Sequence, residues 1–145
     1  MKLLVINGPN LNMLGKREPA LYGKEDYSAL CKRVRNKAKS VGVKVKIIQS
    51  NYEGKIVTVI QKARGKFDGI IINAGALTHT SLAVLDALKA AEVPAAEVHL
   101  TDIAAREEFR KFSYVGLYAE VLFKGLGING YLNAIDYFVN KNKRR

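Results

Sequence analysis

Apolar positions along the chain follow two periods that take turns. Lys2 to Asn7 holds the continuous run Leu3-Leu4-Val5-Ile6, which predicts a short buried strand. The following stretch, Gly8 to Gly23, is broken by Gly and Pro and predicts a loop. From Asp26 to Val41 the period lengthens, with Leu30, Val34, Ala38 and Val41 three or four residues apart, so a helix is expected. Asp26 is placed to cap its start and Gly42 to stop it. Lys44 to Gln49 alternates Val45 and Ile47 with polar residues and predicts a second strand. Ile56, Val59, Ile60 and Ala63 mark a second helix, ended by Gly65. Gly69-Ile70-Ile71-Ile72-Asn73 has the β-branched continuity of a central parallel strand covered on both faces. Ser81 caps a third helix carrying Leu82, Leu85 and Leu88, and Ala96 to Leu100 is a fourth strand. A short helix is expected over Arg106 to Phe112, a fifth strand over Val121 to Phe123, and a last helix from Gly130 to about Asn140.

Strands alternating with helices predict a three-layer α/β fold around a five-stranded parallel sheet. In such folds ligands bind in the crevice at the carboxyl ends of the strands. Three polar segments follow strand ends, Gly8 to Tyr22, Asn73 to Ser81 and His99 to Arg110, and they are expected to converge there. No internal repeat or linker divides the chain, so residues 1–145 are read as one catalytic domain, with 141–145 as a frayed basic tail.

Composition narrows the class. The chain is 48% hydrophobic and 26% charged, values of an ordinary globular domain rather than a disordered one. A single cysteine, Cys31, excludes an internal disulfide framework and favours a reducing compartment. The apolar run after Met1 is too short for a signal-peptide core or a membrane span, so a cytoplasmic location is expected. The formal net charge of +11 suits either nucleic acid or a small carboxylate. Charge alone does not choose between them, because runs such as Lys32 to Lys39 are also what a solvated helix face looks like.

Two nucleotide-binding patterns are approached and missed. Gly8 to Lys16 follows a strand and ends in Gly15-Lys16, but six residues separate its glycines and Arg17 stands where a phosphate loop needs Ser or Thr. Gly125-Leu126-Gly127-Ile128-Asn129-Gly130 matches G-x-G-x-x-G, yet a dinucleotide site needs a further strand and an acidic residue about 20 positions on. A tight strand-to-helix turn explains those glycines better.

Several side chains carry chemistry. Arg17 and Tyr22 share one loop. A cation about 4 Å from a phenol, at an effective dielectric near 20, supplies roughly 4 kcal/mol, enough to bring its pKa from about 10 to about 7 and make it a usable base. Asn10 and Asn12 follow the first strand, and Asn73 to Ser81 crowds hydrogen-bonding groups, His79 among them, at a helix start. The two histidines, His79 and His99, both fall at strand ends, and Glu97 shares a strand face with His99. With no third His and no Cys pair, a transition-metal site is not expected. Arg106 and Arg110 flank Glu107 and Glu108, which fits either ion pairing or recognition of hydroxyls and carboxylates. Read by themselves, these residues offer base, acid and anion-binding groups without naming a reaction.

Gly8-Pro9-Asn10-Leu11-Asn12-Met13-Leu14-Gly15, with Arg17-Glu18-Pro19 and Tyr22-Gly23, resembles the opening signature of type II 3-dehydroquinate dehydratases. The resemblance continues through Gln49-Ser50-Asn51, Asn73 to Ser81, Glu97 to Thr101, Arg106 to Arg110, Gly125 to Gly127 and Gly130 to Leu132. It implies a flavodoxin-like fold and trans elimination of water through an enolate, in the shikimate pathway. Tyr22 is then the base and Arg17 the cation that keeps it ionised. Asn10 supports the enolate oxygen through a water, His99 is the acid with Asn73 assisting, and Glu97 orients the site. The amides of Leu100 and Thr101 bind the substrate carboxylate, His79 and Arg110 hold ring hydroxyls, and Arg106 organises the loop. Asp86 would act in a neighbouring subunit's site, so a trimer, often built into a dodecamer, is implied. The resemblance implies no cofactor and no metal, and neither nucleic acid nor a membrane is expected as a partner. Asp102 departs from the family's usual Asn beside the carboxylate site, where its charge opposes an anion unless a Lys or Arg neutralises it. Ala104, Val121 and Lys124 depart from the pattern as well. The other readings are a basic α/β nucleic-acid-binding domain and a flavin-binding domain.

Overall fold

The computed structural model describes residues 1–16, 20 and 24–145. Nine regular elements lie among them: β1 (Lys2–Asn7), α1 (Tyr27–Ser40), β2 (Lys44–Gln49), α2 (Glu53–Ala63), β3 (Gly69–Asn73), α3 (Leu82–Ala91), β4 (Ala95–His99), β5 (Val121–Lys124) and α4 (Asn129–Lys143). The strands form one parallel sheet in the order β2-β1-β3-β4-β5. This is the flavodoxin-like doubly wound order, with its switch point between β1 and β3.

Alternation within the strands builds the two covering layers. Leu3 and Val5 of β1 and Ile71 of β3 face α1 and α4, packing with Leu30, Val34, Ala134, Ile135 and Phe138. Leu4, Ile6, Ile70 and Ile72 face the opposite way, onto Ile56, Ile60, Val84 and Leu88 of α2 and α3. Both faces of β1 and β3 are covered, which is why these strands read as unbroken apolar runs. Each such side chain, wholly buried, contributes roughly 1.5–3 kcal/mol of transfer free energy.

The helix starts follow the expected chemistry. Asp26 accepts from the Ala29 amide at 2.8 Å, and Ser81 from the Val84 amide at 2.9 Å, so each satisfies an amide left without a helical partner. Gly125 and Gly127 have φ of 73° and 57° and turn the chain from β5 into α4, with no dinucleotide architecture around them. The Gly127 amide also donates to the Leu100 carbonyl at 3.0 Å, so this turn braces the loop after β4.

Four expectations need correction. The fourth strand is Ala95–His99, one residue earlier than expected, and Leu100 already belongs to the following loop. The segment from Arg106 to Phe112 forms a 3-10 turn over Glu108–Arg110 rather than a helix. Its two apolar side chains, Phe109 and Phe112, stand three apart but stay 71% and 52% exposed, so no packed face supports a full helix. Leu82 is 56% exposed, while Val84 and Ala87 share the buried face of α3 with Leu85 and Leu88. Lastly, α4 runs to Lys143, so the basic terminus is not frayed from Lys141. The Lys141 ammonium holds both oxygens of Glu120 at 2.7 and 2.8 Å and ties that end to the start of β5.

Candidate active site

At the switch point the ends of β1 and β3 lie side by side, with Asn7 paired in register to Asn73. The Gly8 amide donates to the Asn73 carbonyl at 2.8 Å, and a Cβ on Gly8 would collide with the Ala74 carbonyl. Glycine is therefore required for the chain to leave β1 so close to β3. Beyond it Asn10 adopts the left-handed conformation, φ 70° and ψ −4°, which costs a residue with a side chain roughly 1 kcal/mol.

The loops after β1, β3 and β4 enclose a cleft of about 160 Å³. Eight of the expected site residues line it: Asn10, Asn73, His79, His99, Leu100, Thr101, Arg106 and Arg110. Leu11, Leu14 and Ile103 supply apolar wall. The size suits one small ring compound, well below the roughly 300–1,000 Å³ of pockets that hold drug-sized ligands. Arg17 and Tyr22 lie outside the described residues. Asp86 is not in the cleft; it is exposed on the outer face of α3. Asp102 and Lys124 also stand outside the lining and form an ion pair at 3.2 Å. That contact, with a hydrogen bond from the Ala104 amide, holds the Asp102 carboxyl below the usual carboxylate range.

Glu97 sits behind His99 and is 1% exposed. Burial pushes its carboxyl pKa up, but hydrogen bonds and the nearby imidazole outweigh burial and hold it below its ordinary value. Its Oε1 accepts from His99 Nε2 at 2.6 Å, from Thr78 Oγ1 at 3.1 Å and from the Ser113 hydroxyl. An ionised carboxylate can only accept, so His99 Nε2 carries its proton and Nδ1 is the nitrogen left for a ligand. His79 is oriented likewise, since its Nδ1 lies 2.8 Å from the Phe112 carbonyl and must donate to it. The two imidazoles stack with centroids 6.5 Å apart. Arg106 and Arg110 both approach Glu107 Oε2, at 3.8 and 2.9 Å, so the ion pairing and the cleft-lining position occur together.

Some members of the site left no clear mark in the sequence. Tyr131 of α4 is wholly buried; its hydroxyl donates to Asn7 Oδ1 at 2.6 Å and accepts from Asn73 Nδ2 at 2.9 Å. Asn73 Oδ1 accepts from the Gly75 amide at 3.1 Å, so the whole carboxamide is held from behind. No role was expected of Asn7, Tyr131 or Ser113; Tyr131 falls within the family-like stretch Gly130 to Leu132, but its partner Asn73 is 58 residues away. Among the described residues, no three His, Cys, Asp or Glu side chains gather as a metal site would need.

The model of the family "Dehydroquinase class II" matches residues 1–139. The chain belongs to the class II dehydroquinase family. It is thereby an enzyme of the hydro-lyase class. It is 47% identical over 142 residues to a 3-dehydroquinate dehydratase of Corynebacterium glutamicum strain R, covering 98% of each chain. To the 3-dehydroquinate dehydratase of Endomicrobium trichonymphae it is 51% identical, covering 96% of this chain and 97% of that one. The crystal structure of the type II dehydroquinase from Butyrivibrio crossotus superposes with a TM-score of 0.92 at 44% identity, over 95% of this chain and 97% of that one. The dehydroquinase fold is thus shared from end to end, and the cleft stands at its switch point.

Proposed function

We propose that this hydro-lyase removes water from 3-dehydroquinate to give 3-dehydroshikimate, by trans elimination through an enolate. The observation that carries the reading is the Glu97–His99 pair beside the cleft: a buried, ionised carboxylate accepts the Nε2 proton of His99, and the imidazole, carrying a second proton on Nδ1, gives that proton to the departing hydroxyl. Tyr22, kept ionised by Arg17, takes the proton from the carbon next to the ketone. Asn10 stabilises the enolate oxygen through a bound water. Asn73 assists His99, and the amides of Leu100 and Thr101 hold the substrate carboxylate. His79 and Arg110 bind ring hydroxyls, with Arg106 organising its loop. The proton gained by Tyr22 and the proton lost by His99 balance, so the pair is reset by exchange with solvent after water leaves. The ketone already acidifies the carbon acid, and the scheme calls on no cofactor or metal.

Self-association belongs to the same reading. Phe109, Phe112, Leu117, Leu122 and Leu126 are each more than 40% exposed in the single chain, and such apolar surface favours burial against another copy. We place Asp86 in a neighbouring copy's site, within a trimer that assembles further to a dodecamer.

Exchange of the two reacting groups tests the mechanism. Tyr22→Phe and His99→Ala are each expected to lower kcat by about 10²–10⁴-fold, with the far-ultraviolet circular dichroism unchanged. Full turnover by the folded Tyr22→Phe protein would remove Tyr22 as the base.

A further inference from the structure

Asn10 presents a puzzle of residue choice. Its left-handed backbone is one that glycine adopts at no steric cost, yet a side chain is kept there. That side chain makes no capping bond to the 3-10 turn Leu11–Met13 that it introduces, although capping is the usual use of Asn at such a position. Instead the residue lines the cleft.

Its backbone is clamped from the next loop. The Asn10 amide donates to Asn51 Oδ1 at 3.0 Å, which fixes the orientation of the Asn51 carboxamide, because a backbone N–H can only donate. Gln49 Nε2 donates to the same oxygen at 3.0 Å and reaches the Gly8 carbonyl at 3.2 Å and Asn12 Oδ1 at 3.3 Å. Asn51 is exposed and belongs to neither apolar core. Its carboxamide oxygen joins the Asn10 amide to Gln49, which itself reaches the loop that carries Asn10. We infer that Asn51, backed by Gln49, is a positioning residue that holds Asn10 in its left-handed backbone and so aims the Asn10 carboxamide into the cleft. This rests on the reading of Asn10 as the group that supports the enolate.

Asn51→Ala removes the acceptor, and Asn51→Asp keeps an oxygen in its place. Because small misplacements of a group that acts in the transition state reduce turnover, Asn51→Ala is expected to lower kcat about tenfold, with KM changed less than about twofold. Asn51→Asp retains the kcat of the parent. In an Asn10→Ala background, Asn51→Ala costs nothing further, since the group it positions is gone. Amide exchange at Asn10, followed by NMR, gives a readout independent of turnover: Asn51→Ala speeds it about tenfold or more and Asn51→Asp does not. Unchanged exchange at Asn10, or losses that simply multiply in the double variant, would overturn the inference and leave the dehydratase reading standing. A wild-type protein without dehydratase activity would remove that reading, and the exchange measurement would still decide whether Asn51 clamps Asn10.

Discussion

At Glu97 burial and hydrogen bonding pull in opposite directions, and hydrogen bonding wins. The folded protein holds this carboxyl below its ordinary value, whereas the unfolded chain returns it to the usual range near 4. A depressed pKa stabilises the fold above the unfolded value, and that contribution fades as pH falls through the folded one. Glu97→Gln is therefore expected to flatten the acid side of a plot of unfolding free energy against pH, measured by urea denaturation. An acid limb of unchanged slope would show that Glu97 is not held ionised. The same substitution leaves His99 without its anionic partner and should lower kcat. Single residues of this kind were legible in the sequence where a short period sufficed: Glu97 and His99 share a face because they are two apart on a strand. Thr78 and Ser113, which complete the cluster from 19 and 16 residues away, have no local signal.

At the scale of elements, the ends of β4 and β5 compensate one another. His99 and Lys124 are register partners, and the Lys124 ammonium reaches across to Asp102 in the loop after β4. The Asp102 charge is thus already paired with that of Lys124. Lys124→Ala is expected to raise KM several-fold, about two- to fivefold at low salt, with kcat retained, and Asp102→Asn in the same chain should reverse the rise. Equal KM values in parent and Lys124→Ala at low ionic strength would separate the pair from substrate binding. Strands and long helices were readable because their apolar periods are long and regular, from β1 through α4. The segment from Ile103 to Leu117 was not, because its 3-10 turns are fixed by contacts such as Tyr114 amide to Thr78 carbonyl, 36 residues apart. Leu82 shows the same limit in reverse: its spacing fits the apolar stripe of α3, but only packing decides which turn faces the sheet.

For the whole molecule, the parallel sheet places the loops after β1, β3 and β4 at one edge, which alternation alone implied, whereas the flavodoxin-like strand order was implied only by the family resemblance. Assembly was not, because a single chain's sequence does not distinguish an outward Leu or Phe that meets solvent from one that meets another copy. The exposed apolar residues between Phe109 and Leu126 are expected to be covered in solution. Native mass spectrometry should show a species about twelve times the 16.0 kDa protomer, with trimers as the dissociation product. A protein that stays monomeric and fully active would place Asp86 outside the catalytic site.

The central claim is the dehydration itself, and ultraviolet absorbance after mixing the protein with 3-dehydroquinate tests it most directly. Growth of the band of a conjugated enone carboxylate is predicted, undiminished when the protein has first been treated with borohydride in the presence of substrate and then freed of both, since no imine to a lysine lies on the path. A flat trace from correctly folded protein, or activity abolished by that treatment, would contradict the account.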